Sequence, residues 1–372
     1  MLYLDNSATT PLLPEVKEAM LPYLLEEFGN PSSKYYSFAV NAKDAVENAR
    51  NNVALLLGSK PEELTFTSGS TETNNMVLKG VADYYRSKGK HIITSKTEHP
   101  SVLDTCEYLE QKGFEITYLD VDGYGRVSCE DLEEALREDT ILVSIMWGNN
   151  ELGSLNPIKT ISEFCVDKGV LFHTDATQVI GKVDLNLENY PGISFLSCSA
   201  HKFHGPKGTG VAYIRRDEYS ISTPLTPLIH GGGQEQGIRS GTLAVHNIVG
   251  MGKAAELAYQ SLQENINKLN RLEETLRDIL LEKFKTVISF NNDKKDKIPG
   301  ILSVQFKGLN NEILVKKLSP VMAVSTGSAC SSSKPSHVLA AIGLTIDEVR
   351  NTIRFSLSHL IIEDDLLVFK SL

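Results

Sequence analysis

The stretch Leu64-Thr65-Phe66-Thr67-Ser68-Gly69-Ser70-Thr71-Glu72 combines a short apolar strand, a turn of small residues and the start of a helix. Val77, Val81 and Tyr84 then recur on one face of the following segment, and this spacing predicts an amphipathic helix. A strand that leads through a tight turn into a helix is the repeating unit of α/β proteins. The stretch therefore predicts the unit from which the fold is built.

Further apolar segments with the length of strands follow, and amphipathic helices separate several of them. The predicted strands are His91–Ser95, Phe114–Leu119, Ile141–Trp147, Val170–Thr174, Phe195–Cys198 and Gly210–Arg215. This alternation predicts an α/β fold with a mostly parallel, seven-stranded sheet that helices cover on both faces. In such sheets ligands bind at the carboxyl ends of the strands.

The pattern changes in the last third of the chain. A long helical region is predicted from Val245 to Lys285, after the glycine-rich segment His230–Gly241. Strands at Ile301–Phe306, Met322–Ser325 and Thr352–Leu357 then alternate with short helices, which predicts a smaller α+β domain. We expect a large domain at residues 15–255 and a small domain formed by residues 1–14 and 256–372.

Composition excludes several classes of partner. The chain has 372 residues, 41% of them hydrophobic and 23% charged, with a net charge of −10. An acidic chain lacks the positive surface that general nucleic-acid or membrane binding requires. The N-terminus has no basic and apolar regions of a secretory signal, and no apolar run approaches the ~18 residues that span a membrane. A cytoplasmic protein is therefore expected.

The cysteines do not form a disulfide or zinc pattern. They are Cys106, Cys129, Cys165, Cys198 and Cys330, an odd number without a CxxC pair, so no metal site is expected. Cys106, Cys165 and Cys198 fall on apolar positions of predicted elements and are expected in the core. Cys330 lies in Ser325–Ser333, a run of small and polar residues, and is a candidate nucleophile.

A polar cluster follows the first predicted strand. Ser68–Glu72 opens a helix, and small residues there let backbone N–H groups approach a phosphate at the positive end of the helix dipole. The alternative is an ordinary Ser or Thr N-cap with Glu72 in the first turn. Both interpretations stay open from the sequence of this segment alone.

An acid and a lysine follow two later strands. Asp175 could pair with a protonated heterocyclic nitrogen, as pyridoxal phosphate requires, and the alternative is a helix cap. Lys202 ends the segment Ser199-Ala200-His201-Lys202, and Gly205–Gly208 would fix the turn after it. A lysine in this position could form a Schiff base, whereas the alternative is a solvated surface lysine.

Two more polar clusters complete this pattern. His99 could stack on an aromatic cofactor and transfer protons, or it could be a capping or core histidine. Asn149-Asn150-Glu151 is either a turn or a set of groups that hydrogen-bond a ligand. Together the clusters place a phosphate cradle, an imidazole, an amide, an acid and a lysine at the ends of five strands. This combination predicts a pyridoxal phosphate site.

The order of these motifs resembles a known family, the cysteine desulfurases of NifS/IscS type, which are class V aminotransferase-like enzymes of pyridoxal phosphate fold type I. The resemblance covers nearly the whole chain and rests on Tyr3–Pro11, Phe28–Ser32, Thr67–Glu72, Thr97–His99, Asn149–Glu151, Asp175–Gln178, His201–Lys202, Arg239–Thr242 and Ser325–Cys330.

The resemblance implies a role for each candidate site residue. The catalytic residues would be Cys330 as nucleophile, Lys202 as Schiff-base lysine and base, and His99 as the ring-stacking acid–base group. The cofactor, pyridoxal 5'-phosphate, would be bound by Ser70, Thr71, Ser199 and His201 at the phosphate, by Asp175 and Gln178 at the ring, by Asn150, and by Thr242 from a partner subunit. Asn150 and Arg354 would hold the substrate carboxylate, a task suited to the planar fork of arginine.

The implied reaction converts L-cysteine to L-alanine in a homodimer and places the sulfur as a persulfide on Cys330. The sulfur would pass to an acceptor protein, either an iron–sulfur scaffold or a tRNA-thiolating enzyme. Alternatives are a selenocysteine lyase, a class V aminotransferase, or a scaffold protein that has lost its chemistry. The presence of Lys202, Asp175 and Cys330 argues against the last of these.

Two features depart from the pattern of the best-known IscS-type enzymes. The segment between Cys330 and His337 is shorter, and the chain ends soon after Leu366–Leu372, where those enzymes carry a longer tail. That tail helps to dock the iron–sulfur scaffold protein. The departures therefore favour a dedicated acceptor, such as a tRNA-thiolating enzyme.

Overall fold

The structure is a computed structural model that describes residues 1–327 and 335–371. Within these ranges the strands are β1 (Leu2–Tyr3), β2 (Leu64–Thr67), β3 (His91–Ser95), β4 (Glu115–Leu119), β5 (Thr140–Ser144), β6 (Leu171–Asp175), β7 (Ile193–Ser199), β8 (Gly210–Ile214), β9 (Ile288–Phe290), β10 (Ile301–Phe306), β11 (Met322–Ala323) and β12 (Thr352–Ser356).

Helices separate most of these strands. In the described ranges they are α1 (Pro14–Leu25), α2 (Ser37–Leu57), α3 (Ser70–Tyr85), α4 (Pro100–Glu110), α5 (Cys129–Ala135), α6 (Ile158–Lys168), α7 (Val245–Gln260), α8 (Leu262–Phe284), α9 (Asn311–Leu318), α10 (His337–Ala341), α11 (Ile346–Arg350) and α12 (Val368–Ser371). Helix α2 ends at Gly58, which adopts the left-handed conformation (φ 59°) that favours glycine at helix C-termini.

The large sheet of the described chain contains seven strands in the order β2-β8-β7-β6-β5-β3-β4. Strands β3, β4, β5, β6 and β7 pair in parallel with one another. Strand β8 runs antiparallel to both of its neighbours, β2 and β7. All residues of β3, β5 and β7 are buried, as expected for a sheet that is covered on both faces. The predicted fold class, a mostly parallel seven-stranded sheet between helices, is confirmed.

The two faces of the sheet have separate apolar cores. Leu196 of β7 packs with residues of α1, α2, α6 and α7, whereas its neighbour Phe195 packs with residues of α3 and α4. This division follows from the strand geometry, because successive side chains of a strand point to opposite faces. The helices thereby enclose the sheet, and its carboxyl edge is left as the place where polar side chains gather.

The last third of the chain forms a second core. Strands β9, β10 and β12 make an antiparallel sheet, and α8 packs against it through an apolar face that includes Leu276 and Leu280. Strand β1 pairs in parallel with β11, so the first residues of the chain join this region. The division into domains at residues 15–255, and 1–14 with 256–372, stays a prediction.

Two predicted elements differ from the observed ones by more than two residues at an end or in the number of helices. The predicted helical region Val245–Lys285 consists of two helices that meet at Ser261, whose φ of −109° and ψ of 11° lie outside the α-helical values. The strand predicted at Ile141–Trp147 begins at Thr140 and ends at Ser144. Beyond it, the Met146 backbone N–H donates to the Glu98 carboxyl (2.8 Å), so a side chain interrupts the strand ladder.

The cysteines predicted in the core are buried. Cys106, Cys165 and Cys198 have at most 1% of their surface exposed, which confirms their predicted place. Burial raises the pKa of each of these thiols to about 12, because an apolar surrounding disfavours the thiolate. These thiols are therefore poor nucleophiles. Cys330 lies outside the described residues.

Among residues 1–327 and 335–371, no helix is both long enough and apolar enough to cross a membrane.

Candidate active site

A cavity of about 550 Å³ lies at the carboxyl edge of the large sheet, a size within the usual range for small-molecule sites. The predicted site residues that line it are Ser70, Thr71, His99, Asn150, Asp175, Gln178, Ser199, His201, Lys202 and Arg354. Thr242 does not line it and is exposed in the glycine-rich segment of this chain. Cys330, the remaining predicted residue, lies outside the described residues.

One end of the cavity is formed by the N-terminus of α3. Gly69 is the N-cap residue, and no side chain caps the helix from this position. The Ser70 backbone N–H donates to Ser199 Oγ (2.7 Å), which in turn donates to Ser70 Oγ (3.0 Å). The helix dipole and these hydroxyl groups make this end suitable for an anion.

The alternative interpretation of this segment was a Ser or Thr N-cap with Glu72 in the first turn. No side chain caps the helix, but Glu72 does lie in its first turn. Its carboxylate accepts from the Ser68 backbone N–H (2.8 Å) and from Arg239 Nε (2.8 Å). Burial acts to raise the pKa of Glu72, but the hydrogen bonds from Arg239 and Ser68 outweigh it, so the pKa is lowered. Arg239 thereby ties the glycine-rich segment to α3.

Two glycines let the turn before α3 lie close to β8. A Cβ atom on Gly210 would lie 2.6 Å from the Gly69 Cα atom and 2.4 Å from the Cys198 carbonyl oxygen. Gly69 also has a φ of 147°, which favours glycine. Because the backbones touch, the start of α3 is held directly beside the end of β7.

Asp175 is the last residue of β6, and its carboxylate is held on both oxygens. Oδ1 accepts from the Thr177 backbone N–H (3.0 Å), and Oδ2 accepts from Asn74 Nδ2 (2.8 Å) on α3. The side chain is buried, at 5% exposure. These contacts fix an acceptor in the cavity.

Lys202 ends a short 3-10 turn, Ala200–Lys202, that follows β7 directly. Its Nζ atom donates to the carbonyl oxygens of Ser7 (2.6 Å) and Ala8 (2.8 Å). The side chain lines the cavity, so it is not a freely solvated surface lysine. The turn places the amine between the strand ends and the N-terminal segment.

The N-terminal residues Ser7, Ala8 and Thr9 form a wall of the cavity, and none of them was a predicted site residue. The Ser7 carbonyl oxygen also accepts from Gln178 Nε2 (2.9 Å), and Thr9 Oγ1 contacts His201 Nδ1 (3.1 Å). Burial, with the positive charges of nearby lysines, lowers the pKa of His201 to about 4, so this imidazole is neutral. The motif Tyr3–Pro11 was the available signal for this wall.

His99 caps a helix, as one of its two interpretations predicts, and it also lies at the cavity. It is the N-cap of α4, where its Nδ1 atom accepts from the Ser101 backbone N–H (3.1 Å). Burial lowers the pKa of His99 below its ordinary value because the charged form loses its hydration. The imidazole at this site is therefore mainly neutral near pH 7.

The turn after β5 is shaped by Asn149. Its Oδ1 atom accepts from the backbone N–H groups of Glu151 (2.8 Å) and Leu152 (3.0 Å), which turns Asn150 toward the cavity. Arg354 of β12 donates through Nη1 to the Asn150 carbonyl oxygen (3.0 Å). This turn therefore links the large sheet to a strand of the small one.

Arg354 is almost completely buried, with 1% of its surface exposed. Its Nη2 atom donates to Asp5 Oδ1 (2.7 Å), whereas its buried Nε atom has no hydrogen-bond partner in the described chain. A buried guanidinium with a donor to spare is suited to bind a carboxylate.

Two buried acids, Glu98 and Glu151, also line the cavity, although neither was a predicted site residue. Burial raises the pKa of Glu98 to about 8, although Ser95 Oγ and the Met146 N–H both donate to its Oε1 atom. Burial also raises the pKa of Glu151, whose Oε2 atom accepts from Ser336 Oγ (2.6 Å). Their effect is to hold the surrounding backbone in place.

The described residues on either side of the Cys330 segment lie at the cavity. A Cβ atom on Gly327 would lie 2.6 Å from Glu151 Oε2, and Ser336 bonds the same carboxyl group. His337 lines the cavity, and its Nε2 atom contacts the Glu98 carbonyl oxygen (2.9 Å). Residues on both sides of this segment therefore lie at or next to the cavity.

The donor set fits pyridoxal phosphate. Hydroxyl groups and a helix N-terminus at one end suit a phosphate, and the Asp175 carboxylate suits a pyridinium nitrogen. Lys202 supplies an amine in the same cavity. A mostly parallel sheet with these groups at its carboxyl edge defines the class of aminotransferase-like pyridoxal phosphate enzymes.

Comparison with known proteins agrees with this class. The Aminotransferase class-V family profile matches residues 2–369. Cysteine desulfurase IscS of Pectobacterium carotovorum subsp. carotovorum (strain PC1) is 46% identical over 371 residues, which cover 98% of this chain and 90% of that protein. The solved structure of a NifS-like protein has a TM-score of 0.91 at 38% identity and covers 100% of this chain and 97% of that chain.

A further solved structure is described as SspA in complex with cysteine. Its TM-score is 0.84 at 37% identity, and the match covers 96% of this chain and 99% of that chain. The chain therefore belongs to the class V aminotransferase family, among the cysteine desulfurases of NifS/IscS type.

Proposed function

We propose that this protein is a pyridoxal phosphate-dependent cysteine desulfurase that converts L-cysteine to L-alanine and passes the sulfur, as a persulfide on Cys330, to an acceptor protein. One observation carries the proposal. A single cavity collects the lysine, the acid, the imidazole, the helix N-terminus and the buried arginine that this reaction needs. The family of the chain and the cysteine-bound relative support it.

The residues that would hold the cofactor lie at two ends of the cavity. Ser70, Thr71, Ser199 and His201 would bind its phosphate, and Thr242 of the partner subunit would complete this set. Asp175 would pair with the ring nitrogen, while Gln178 would donate to the phenolic oxygen and His99 would stack on the ring. When bound, pyridoxal phosphate supplies an aldehyde that joins amines and a ring that withdraws electrons from the substrate's α-carbon.

Arg354 and Asn150 would orient the substrate by its carboxylate. The Arg354 guanidinium is already fixed by Asp5 and by the Asn150 carbonyl oxygen, so little side-chain freedom is lost when a carboxylate binds. Burial of this arginine excludes water from the ion pair and strengthens it. The substrate's amino group would then face Lys202.

Lys202 and Cys330 would carry out the chemical steps. Lys202 Nζ would take the proton from the substrate's α-carbon, and it lies within the cavity where this proton would be. The Cys330 thiolate would attack the substrate sulfur, so that an S–S bond forms as the C–S bond breaks. The remaining carbon skeleton would gain a proton at the β-carbon, recover the one that Lys202 took from the α-carbon, and leave as L-alanine. Only the thiolate is nucleophilic, so Cys330 must be ionised when it attacks.

The acceptor of the sulfur is a separate part of the proposal. We expect a protein acceptor, either an iron–sulfur scaffold or a tRNA-thiolating enzyme, in the cytoplasm. Protein loaded with ³⁵S from labelled L-cysteine can be mixed with candidate acceptors, and label that moves to an acceptor thiol identifies it. Label that stays on Cys330 with each candidate excludes that candidate.

The reaction is tested with three variants of the cofactor-loaded protein. Lys202→Ala should lose both the visible absorption of the bound cofactor and sulfide release from L-cysteine under a reductant. Cys330→Ser should keep the absorption and release almost no sulfide. Cys129→Ser is the control, because it removes a different thiol, one that is partly exposed and whose pKa burial has raised. It should keep the activity.

Other activities of the same fold give different results in this assay. Full sulfide release by Cys330→Ser would exclude Cys330 as the nucleophile. Turnover of L-selenocysteine without turnover of L-cysteine would favour a selenocysteine lyase, and amino transfer to a keto acid would favour an aminotransferase. A protein that never acquires visible absorption with pyridoxal phosphate would be a scaffold without the chemistry.

A further inference from the structure

A buried chain of hydrogen bonds joins Asp175 to His99 through two residues without an assigned role. Asn74 Nδ2 donates to Asp175 Oδ2 (2.8 Å) and to Ser101 Oγ (2.8 Å). Ser101 Oγ lies 2.8 Å from His99 Nδ1. Asn74 has 0% of its surface exposed and Ser101 8%, so water does not interrupt the chain. It connects the sheet edge at β6 with the start of α4.

The direction of each hydrogen bond in this chain is fixed by chemistry. A carboxylate only accepts, so Asn74 must present its NH₂ group to Asp175. The same NH₂ group gives its second hydrogen to Ser101 Oγ, and the Asn74 Oδ1 atom has no partner within the described chain. The Ser101 hydroxyl hydrogen is then left to be donated to His99 Nδ1.

A second donor acts on the same imidazole nitrogen. The Ser101 backbone N–H can only donate, and it lies 3.1 Å from His99 Nδ1. With two donors directed at it, Nδ1 carries no hydrogen, so the neutral imidazole has its hydrogen on Nε2. One residue, Ser101, therefore determines the tautomer through both its backbone and its side chain.

We propose that Asn74 and Ser101 are positioning residues: Asp175 orients the Asn74 amide, this amide directs the Ser101 hydroxyl hydrogen to His99 Nδ1, and the imidazole is thereby fixed as the neutral Nε2–H tautomer. The catalytic use of that tautomer rests on the proposed function, in which Asp175 and His99 both contact the cofactor. The tautomer itself is a property of the chain. Its consequence is that His99 offers a hydrogen-bond donor, and not an acceptor, through Nε2.

The charges around His99 set the conditions for the test. Burial lowers its pKa most, Lys202 and His337 lower it further, and Asp175 and Asp104 act in the opposite direction. A donor directed at the neutral form also disfavours protonation. Loss of the Ser101 hydroxyl should therefore raise the pKa of His99.

The tautomer can be measured directly by NMR on protein with ¹⁵N-labelled histidine, both with and without cofactor, because the ¹⁵N shifts distinguish Nδ1–H from Nε2–H imidazoles. His99→Gln identifies the signals of His99. We expect the Nε2–H form near pH 7. An Nδ1–H form, or an even mixture of the two, would overturn the proposal, and neither result depends on turnover of L-cysteine.

Variants separate this role from a merely structural one. Ser101→Ala should raise the pKa of His99 and populate both tautomers, and Ser101→Thr, which keeps the hydroxyl, should restore the original values. Asn74→Ala should also populate both tautomers, since it removes the donor that directs the Ser101 hydroxyl hydrogen to His99 Nδ1. Thr105→Ala, which removes another buried hydroxyl from α4, is the matched control and should change neither quantity.

The outcome is decisive in either direction. If Ser101→Ala leaves both the tautomer and the pKa of His99 unchanged, the relay has no influence and the proposal is wrong. If the tautomer changes while sulfide release from L-cysteine does not, the relay exists without the catalytic use that the proposed function gives it.

Discussion

Arg354 shows how one residue is prepared for a single ligand group. It is buried between Asp5 and the Asn150 carbonyl oxygen, and its Nε atom retains a donor without a partner in the described chain. A charged, buried donor without a partner costs free energy, so a ligand that accepts from it gains that free energy on binding.

Arg354→Lys should weaken the binding of L-cysteine selectively. Lysine keeps the charge but lacks the planar fork, and we expect a loss of ~1.5–3 kcal/mol, or about a tenfold to hundredfold rise in KM. The visible absorption of the bound cofactor should not change. Steady-state kinetics of sulfide release measure the effect.

The matched control for this change is Arg277→Lys. Arg277 lies on α8, where its guanidinium stacks 4.1 Å from the centre of the Phe290 ring, and it does not line the cavity. Its replacement should leave KM unchanged. An unchanged KM in Arg354→Lys as well would exclude Arg354 from substrate binding.

Part of the site could be predicted from single residues. Asp175 ends one strand of the mostly parallel sheet, and Lys202 lies in the turn after the next strand. Because the carboxyl ends of parallel strands meet at one edge of a sheet, the proximity of these two residues follows from the sequence pattern. Asp5 and Asn74 were not predicted, because their contacts depend on how distant segments pack. Asp5 meets Arg354 across 349 positions of sequence, and no local pattern specifies such a pair.

At the scale of elements, the start of α3 depends on its contact with β8. The two backbones touch where Gly210 faces Gly69, and no side chain can be accommodated at Gly210. The position of the helix N-terminus, and hence of the predicted phosphate cradle, is set by this contact. A change of a single methyl group should therefore be felt at the cofactor site.

Gly210→Ala should move the start of α3 away from β8. Its Cβ atom would lie within 2.6 Å of backbone atoms on both sides, which should destabilise the fold by ~1–3 kcal/mol and weaken pyridoxal phosphate binding. Urea unfolding and titration with the cofactor measure the two effects. Gly123→Ala is the control, because nothing lies within 4 Å of its Cβ position and both effects should be absent.

Should Gly210→Ala bind the cofactor as tightly as the original protein, the contact would not position the cradle.

The elements themselves were largely predictable, because apolar strands and amphipathic helices have distinct periods. Helix α1 was not predicted. It contains Pro22, and only Val16 and Met20 are buried, so its apolar pattern is weak.

At the scale of the whole molecule, apolar side chains are exposed from the end of α1 to the start of α2. They include Leu24, Leu25, Phe28, Tyr35 and Phe38, and the rings of Phe28 and Phe38 stack with their centres 5.2 Å apart. Exposed apolar patches of this kind mark interaction surfaces. We propose that a second copy of the chain covers this surface and supplies its Thr242 to the cavity.

The protein should therefore sediment at twice its chain mass of 41.0 kDa. Phe28→Asp should weaken the dimer and, with it, cofactor binding, because a charge would be buried in the interface. Leu281→Asp places the same charge on an exposed apolar position of α8 and should leave the dimer intact. A stable, fully active monomer would contradict the homodimer.

The path of the N-terminal segment has a consequence for biosynthesis. Leu2 and Tyr3 pair with β11, Asn6 bonds the Ser356 backbone, and Ser7 holds Lys202, so the first residues of the chain find several of their partners among the last. Such distant contacts form late, because most of the chain must be ordered first. On the ribosome, the large sheet can therefore form well before the cofactor pocket closes, and a chain released before residue 356 should expose an open pocket to degradation.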